Sequence, residues 1–294
     1  MTDQKPSFML TLKRYYWLTK PGIIYGNLVA AVAGYLYGAA GHYVLQTFVA
    51  MVLGTALVIG CGCVLNNILD IPLDSLMERT KTRALVTKKI SLTAATIYAV
   101  IIGITGFFIL AKYTNKLTVY NGIVGLVFYV AVYGYAKRKS VHGTLVGTVS
   151  GATPLLAGYF AATNRFDQAA VLLFLIMLCW QMAHFYAIAI RHIADYKKAG
   201  VPVMPVVKGI QATKKHMVMY IVGFMVTSLL LAAVGHAGVF YSIVLLIIGV
   251  WWLKVAFKDY DSADYQVWAK KVFLFSLVAL LVFNGMIAVN HYLP

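Results

Sequence analysis

The sequence predicts an all-α polytopic membrane protein of about nine transmembrane helices, and three observations carry that prediction. Of the 294 residues, 61% are hydrophobic, well above the roughly 45–50% of a soluble domain. The apolar residues gather in runs that approach the ~20 residues a helix needs to cross a bilayer. The short alternating segments of a membrane β-barrel are not seen.

The elements follow in chain order. Residues 1–22 read as a cytoplasmic arm, because their basic residues are not followed by the apolar stretch and small-residue cleavage site of a signal peptide. Spans are expected near 23–41, 44–65, 92–111, 117–136, 143–161, 168–190, 217–235, 239–256 and 272–292. The fifth, GTLVGTVSGATPLLAGYFA, is rich in small residues that let helix backbones approach closely. Cys61, Cys63 and Cys179 all fall within spans. C-x-C is not a zinc-finger spacing, so they read as small packing residues. With no long linker or low-complexity segment, residues 1–294 read as a single integral-membrane domain.

Charge sets the orientation. With the N-terminus inside, 22 of the 25 Lys and Arg residues fall in cytoplasmic segments, and only Lys112, Lys116 and Arg165 fall on the far side. That is the positive-inside pattern. It places the N-terminus in the cytoplasm and the C-terminus on the opposite side. The net charge of +16 is therefore mostly topological and calls for no nucleic-acid partner, although it would also attract an anionic substrate.

Against this background the stretch 66–83, NNILDIPLDSLMERTKTR, stands out, since Asp70 and Asp74 are two of only nine acidic residues. Asn66, Asp70 and Asp74 recur every four residues and share a slowly drifting helix face. The two carboxylates repel each other and sit at the negative end of a helix dipole. An aspartate at mid-bilayer depth costs about 2.5–3.5 kcal/mol, less near the interface. A bound cation reverses all three penalties. An amide and two carboxylates are hard oxygen donors, so Asn66, Asp70 and Asp74 are candidate Mg²⁺ ligands, with phosphate oxygens completing the shell. Arg79, Lys81 and Arg83 follow at once as candidate diphosphate contacts. Pro72 lies between the aspartates and predicts a kinked or ending helix. The alternative is an interfacial loop of ordinary solvated charges.

A second cluster follows the sixth span. His184, Ile188, Arg191 and Asp195 have the spacing of one helix face. Two acidic clusters thus reach the same membrane face, a disposition suited to clamping a metal–diphosphate.

N-x-x-x-D-x-x-x-D with ERTKTR after it, and an acidic cluster after span 6, resembles the UbiA superfamily of intramembrane prenyltransferases. The resemblance extends over TKPGI at 19–23, KRKSVHGTLVGTVSGATP at 137–154, WQMAHF at 180–185 and DYKKAGVPVMPVV at 195–207. The last three stretches resemble its haem-modifying branch. Two positions depart from the pattern. Arg191-x-x-x-Asp195 stands where many members carry a second D-x-x-x-D, which suggests a direct arginine–phosphate contact. Ala183 replaces a usual proline beside His184.

The resemblance implies a UbiA-type helical bundle around a central cavity open to the cytoplasmic side, and farnesyl transfer to a haem B vinyl group with water addition. The substrates implied are haem B and farnesyl diphosphate, the cofactor Mg²⁺, the surroundings the lipid bilayer of a bacterial cytoplasmic (inner) membrane. A downstream haem A synthase or terminal oxidase is the implied partner. Asp70, Asp74, Asn66 and Asp195 become candidate catalytic residues, with Arg79, Lys81, Arg83, Arg191 and Lys208 as diphosphate contacts. Haem candidates are His184, His142 and Lys20. A core histidine hydrogen-bonded to a neighbouring helix and an interfacial anchor are the competing readings there. Trp180, Phe185 and Tyr186 are candidates to line an isoprenoid cavity, or serve in packing.

Two other functions remain open from sequence. A related prenyltransferase acting on an aromatic quinone precursor would share the diphosphate chemistry. A cation-coupled transporter would place its acidic residues near mid-membrane, whereas these sit at span ends.

Overall fold

A computed structural model describes residues 8–294; residues 1–7, including Lys5 of the expected arm, lie outside the described residues. Helix α1 spans Phe8–Leu18 and exposes Phe8, Met9 and Trp17. Nine helices long and apolar enough to cross a membrane follow among the described residues. They are α2 (Pro21–Ala39), α3 (Leu45–Leu69), α4 (Leu92–Tyr113), α5 (Lys116–Lys139), α6 (Gly143–Thr163), α7 (Gln168–Arg191), α8 (Gly209–Ala233), α9 (Val239–Phe257) and α10 (Tyr265–Val289).

Each spanning helix packs on the next, and α10 closes the ring against α2. Helix α6 also packs on α2 and α3, while α7 touches α8 and α10, so these two helices carry most of the interior. Two glycines explain how α6 comes so close to α2. A methyl group at Gly34 would overlap the Leu155 carbonyl, and one at Gly158 would overlap the Ala31 carbonyl. With lipid as solvent, such backbone approach is a main source of helix association.

Pro154 lies inside α6 and cannot donate to the Ser150 carbonyl. The Thr153 hydroxyl donates to that oxygen at 2.7 Å. Neighbouring helices add to the carbonyls of α6: Asn121 Nδ2 donates to Thr153 O at 2.8 Å and Gln181 Nε2 to Thr148 O at 3.2 Å. In a membrane interior every unpaired backbone group is costly, so these side chains let α6 keep its proline.

Helices α8 and α10 begin earlier than hydropathy suggests, at Gly209 rather than near 217 and at Tyr265 rather than near 272. Lys214, Lys215, Lys270 and Lys271 in their second turns make these stretches read as loop. Lys214 is only 1% exposed, however. Its ammonium donates to the Tyr260 carbonyl and lies 5.3 and 4.7 Å from the Tyr260 and Trp268 ring centres. Asp264 caps α10 by accepting from Val267 N at 3.1 Å.

Replacing Gly158 with valine forces α2 and α6 apart. Overpacking typically costs about 1–3 kcal/mol, and more where the obstacle is backbone. The unfolding midpoint of Gly158→Val in detergent should fall clearly; an unchanged midpoint would show that the helices do not depend on this contact.

Candidate active site

Backbone hydrogen bonds link the three residues of the acidic motif, although Pro72 has no N–H to give. Asp70 N donates to Asn66 O at 2.9 Å, and Asp74 N to Asp70 O at 2.8 Å. Helix α3 ends at Leu69, and Ile71–Asp74 forms one further turn entered through Asp70. Pro72 thus ends the long helix, as expected, without removing the three side chains from a common side. Asn66, Asp70 and Asp74 are all buried.

Cations gather around them. Asp70 accepts from Lys137 Nζ at 2.5 Å and from Arg138 at 2.9 Å. Asp74 accepts from Arg83 at 2.5 Å. Lys20 Nζ donates to Asn66 Oδ1 at 2.8 Å, and the Tyr129 hydroxyl lies 3.5 Å from the same oxygen. Arg83 also reaches Asn67 Oδ1 at 3.3 Å, and Asn67 Nδ2 donates to Leu18 O at 2.9 Å, tying the end of α1 to the site. Four cationic side chains therefore face two carboxylates, and the cluster carries surplus positive charge. Asn66 Nδ2 is buried without a partner.

Two local features deliver these groups. Lys20 precedes Pro21, which disfavours right-handed helix at that position, and it adopts φ 54° and ψ 64°. A left-handed conformation is unfavourable for a lysine, yet it coincides with an ammonium aimed into the cluster. Burial pushes the Lys20 ammonium down to about 8, from an ordinary value above 10. In α5, residues Phe128–Val132 form a π-helical turn. Such single-turn bulges recur at functional sites. This one precedes Tyr133 and Lys137 and contains Tyr129; the Tyr129 and Tyr133 rings stack with centres 6.1 Å apart.

The second cluster departs from its expected geometry. Helix α7 ends at Arg191, His192 turns the chain at φ −113° and ψ 26°, and a short helix, Ile193–Lys198, begins. His184, Arg191 and Asp195 therefore do not share one continuous helix face, because the chain turns onto the surface where Lys197 and Lys198 are exposed. Asp195 accepts from Glu78 N at 3.3 Å, and Lys198 lies 3.6 Å from Glu78. The segment after α3 is thus docked on the segment after α7. Tyr196 is held above its ordinary value by burial first, with Arg79 opposing and Asp195 and Asp70 adding to the shift. His192 is held down by burial and then by Arg79 and Arg191. Both dispositions bring the second segment close to the first.

The remaining sequence candidates divide. Arg79 belongs to the segment facing Tyr196 and His192. Lys81 is exposed and paired with Glu78, and Lys208 and His142 are exposed. The Arg191 guanidinium lies 5.1 Å over the Phe273 ring. Trp180 and Tyr186 belong to the hydrophobic core, whereas Phe185 is 39% exposed. Sequence reasoning did not single out Lys137, Arg138, Asn67, Tyr129 or Tyr196. Among the described residues no three His, Cys, Asp or Glu side chains gather as a metal site. The oxygen set here is one amide and two carboxylates.

The sequence profile described as the UbiA prenyltransferase family matches residues 27–278. The chain belongs to the UbiA prenyltransferase family. Within it, the chain is 45% identical over 280 residues to a protein named protoheme IX farnesyltransferase from Edwardsiella ictaluri (strain 93-146), covering 95% of both chains. It is 46% identical over 283 residues to the protein of that name from Klebsiella pneumoniae, covering 96% of each. Two solved structures share the UbiA fold. One, from work on the biosynthesis of digeranylgeranylglyceryl phosphate synthase, aligns with a TM-score of 0.79 at 20% identity, over 95% of this chain and 98% of the other. The second, a UbiA homologue from Archaeoglobus fulgidus bound to GPP and Mg²⁺, aligns with a TM-score of 0.73 at 17% identity, over 94% and 100%.

The Lys137–Asp70 pair is buried enough to test directly. Removing one partner leaves an uncompensated charge, and directly bonded pairs typically couple by about 0.5–3 kcal/mol. Lys137→Met should lower the unfolding midpoint in detergent, and the double variant Lys137→Met/Asp70→Asn should recover part of the loss. Strictly additive effects would contradict the pairing.

Proposed function

We infer that this integral membrane protein transfers the farnesyl group of farnesyl diphosphate to a vinyl group of haem B, giving haem O and diphosphate. The observation that carries the reading is the relation to protoheme IX farnesyltransferases, at about 45% identity over nearly the whole chain. The site is consistent with it, because four cations around two carboxylates leave positive charge for a polyanion.

The chemistry determines what the residues must do. The bond between farnesyl C1 and oxygen breaks, and the diphosphate leaves with the electron pair. The vinyl π electrons form the new carbon–carbon bond, leaving a cation on the carbon next to the pyrrole. Water captures that carbon and loses a proton, giving the hydroxyfarnesylethyl group. Stabilising the departing diphosphate is the electrostatic requirement. Arg83, Lys137, Arg138 and Lys20 are placed for it, with Arg79 from the adjoining segment and Arg191 from the end of α7.

Asn66, Asp70 and Asp74 suit Mg²⁺ by donor type: hard oxygens on successive turns and no sulfur or imidazole. Bound there, the ion would neutralise charge on the leaving group. Each carboxylate already holds a cation in this structure, so the protein's own part is an exchange. As diphosphate arrives, Arg83 leaves Asp74, and Lys137 and Arg138 leave Asp70, for phosphate oxygens, which frees both carboxylates. Asp195 acts by holding the Glu78 amide and so the segment bearing Arg79 and Arg83. In this reading the basic loops face the cytoplasm, and the anionic substrate reaches the site from that side of a bacterial inner membrane. The whole chain serves as one domain, and the product goes on to a haem A synthase or terminal oxidase.

Incubation with haem B, farnesyl diphosphate and Mg²⁺, followed by mass spectrometry of the haem, should show farnesylated product. Asp70→Ala and Asp74→Ala should each lower turnover by at least two orders of magnitude while remaining folded. Near-normal turnover in both would remove the carboxylates from the reaction. Prenylation of a hydroxybenzoate in place of haem would reassign the acceptor.

A further inference from the structure

Helices α7 and α10 meet in a column of rings at the level of His184. The imidazole stacks on Trp180 with centres 4.7 Å apart and meets the Phe273 ring, tilted by 34°, with centres 4.9 Å apart. Trp180 Nε1 donates to the Ser276 carbonyl at 2.7 Å, which locks the two helices together at this height. His184 retains 8% of its surface.

The hydrogen bonds decide the tautomer. Ser276 Oγ donates to the Phe273 carbonyl at 2.5 Å, so its single proton is already used. Its second contact, 2.7 Å to His184 Nδ1, must therefore be one in which Nδ1–H donates to the hydroxyl. The proton resides on Nδ1, and Nε2 carries an unshared pair. Among the described residues none is recorded as a hydrogen-bond partner of Nε2. A histidine that merely ties α7 to α10 needs only Nδ1, and Nε2 is not sealed off as the enclosed, unpartnered Asn66 Nδ2 is, so its unshared pair is open to a ligand. An imidazole whose far N–H is fixed by a hydrogen bond, and whose near nitrogen is free, has the form of a prepared metal ligand.

We propose that His184 binds the iron of the haem substrate through Nε2, and that Ser276, backed by the Phe273 carbonyl, is the positioning residue that fixes the tautomer and ring orientation. The proposal rests on the reading of haem B as acceptor and deepens it, because a porphyrin held by its iron at a fixed point presents its vinyl edge at a fixed place. The neighbouring rings, Trp180 and Phe273, restrict the ligand from turning. Neutral imidazole is a common protein ligand of haem iron.

The test uses the full chain purified in detergent with haem B alone, without farnesyl diphosphate, read by optical and electron paramagnetic resonance spectra. Wild type should show imidazole ligation. His184→Ala and His184→Gln should lose that signature, bind haem B about 10–100-fold more weakly, and regain the spectrum in His184→Ala when imidazole is added. Ser276→Ala should keep the ligand but weaken binding by up to about tenfold, with Ser276→Thr restoring it. Metal-free protoporphyrin IX should bind all variants as it binds wild type. Unchanged haem spectra in both His184 variants would overturn the proposal, as would an equal loss of metal-free porphyrin binding, which marks a structural role. A wild type that binds no haem B at all would instead strike at the acceptor assignment.

Discussion

Asp70 and Asp74 are buried at the end of a long apolar helix, and they persist there because Lys137, Arg138 and Arg83 sit directly on their oxygens. Without those partners the two carboxylates would repel each other, oppose the dipole of α3 and face an apolar surround. The partners come from separate parts of the chain: Arg83 from the segment after α3, Lys137 and Arg138 from the end of α5. Lys20, at the start of α2, reaches the neighbouring Asn66. Pairing these charges therefore gathers the ends of several helices around one point.

In the proposed reading the pairing also makes the site chemically useful. Buried ion pairs contribute little net stability when compared with good apolar packing, so a cluster this elaborate asks for another reason. Cations in excess of carboxylates offer a polyanion more than they offer a bare metal ion. In this account the resting ion pairs hold the place of the bound state: phosphate takes the cations and the carboxylates become free for a divalent ion. The segments after α3 and α7, joined through Glu78, Asp195 and Lys198, keep the basic residues close enough for the exchange.

Much of this was legible in the chain. The nine spans, the kink at Pro72 and the shared side of Asn66, Asp70 and Asp74 follow from hydropathy, proline chemistry and a four-residue repeat. The starts of α8 and α10 were not, because Lys214 reads as a loop residue until Tyr260 and Trp268 are seen to enclose it. Lys137 and Arg138 enter the sequence reading as topological charge and as the start of the 137–154 stretch, not as partners of an aspartate. Their pairing with Asp70 joins positions 67 and 68 residues apart, and no local pattern announces it. The π-helical turn that precedes them has no simple sequence mark either. Asp195 looked like a continuation of the α7 face, since spacing alone does not show that the chain turns at His192.

The exchange of partners is tested most directly by an experimental structure with diphosphate and Mg²⁺ bound. The account predicts that Arg83 leaves Asp74, and Lys137 and Arg138 leave Asp70, for phosphate oxygens, while the carboxylates face the metal. Diphosphate bound elsewhere, with the ion pairs of Asp70 and Asp74 intact, would contradict it.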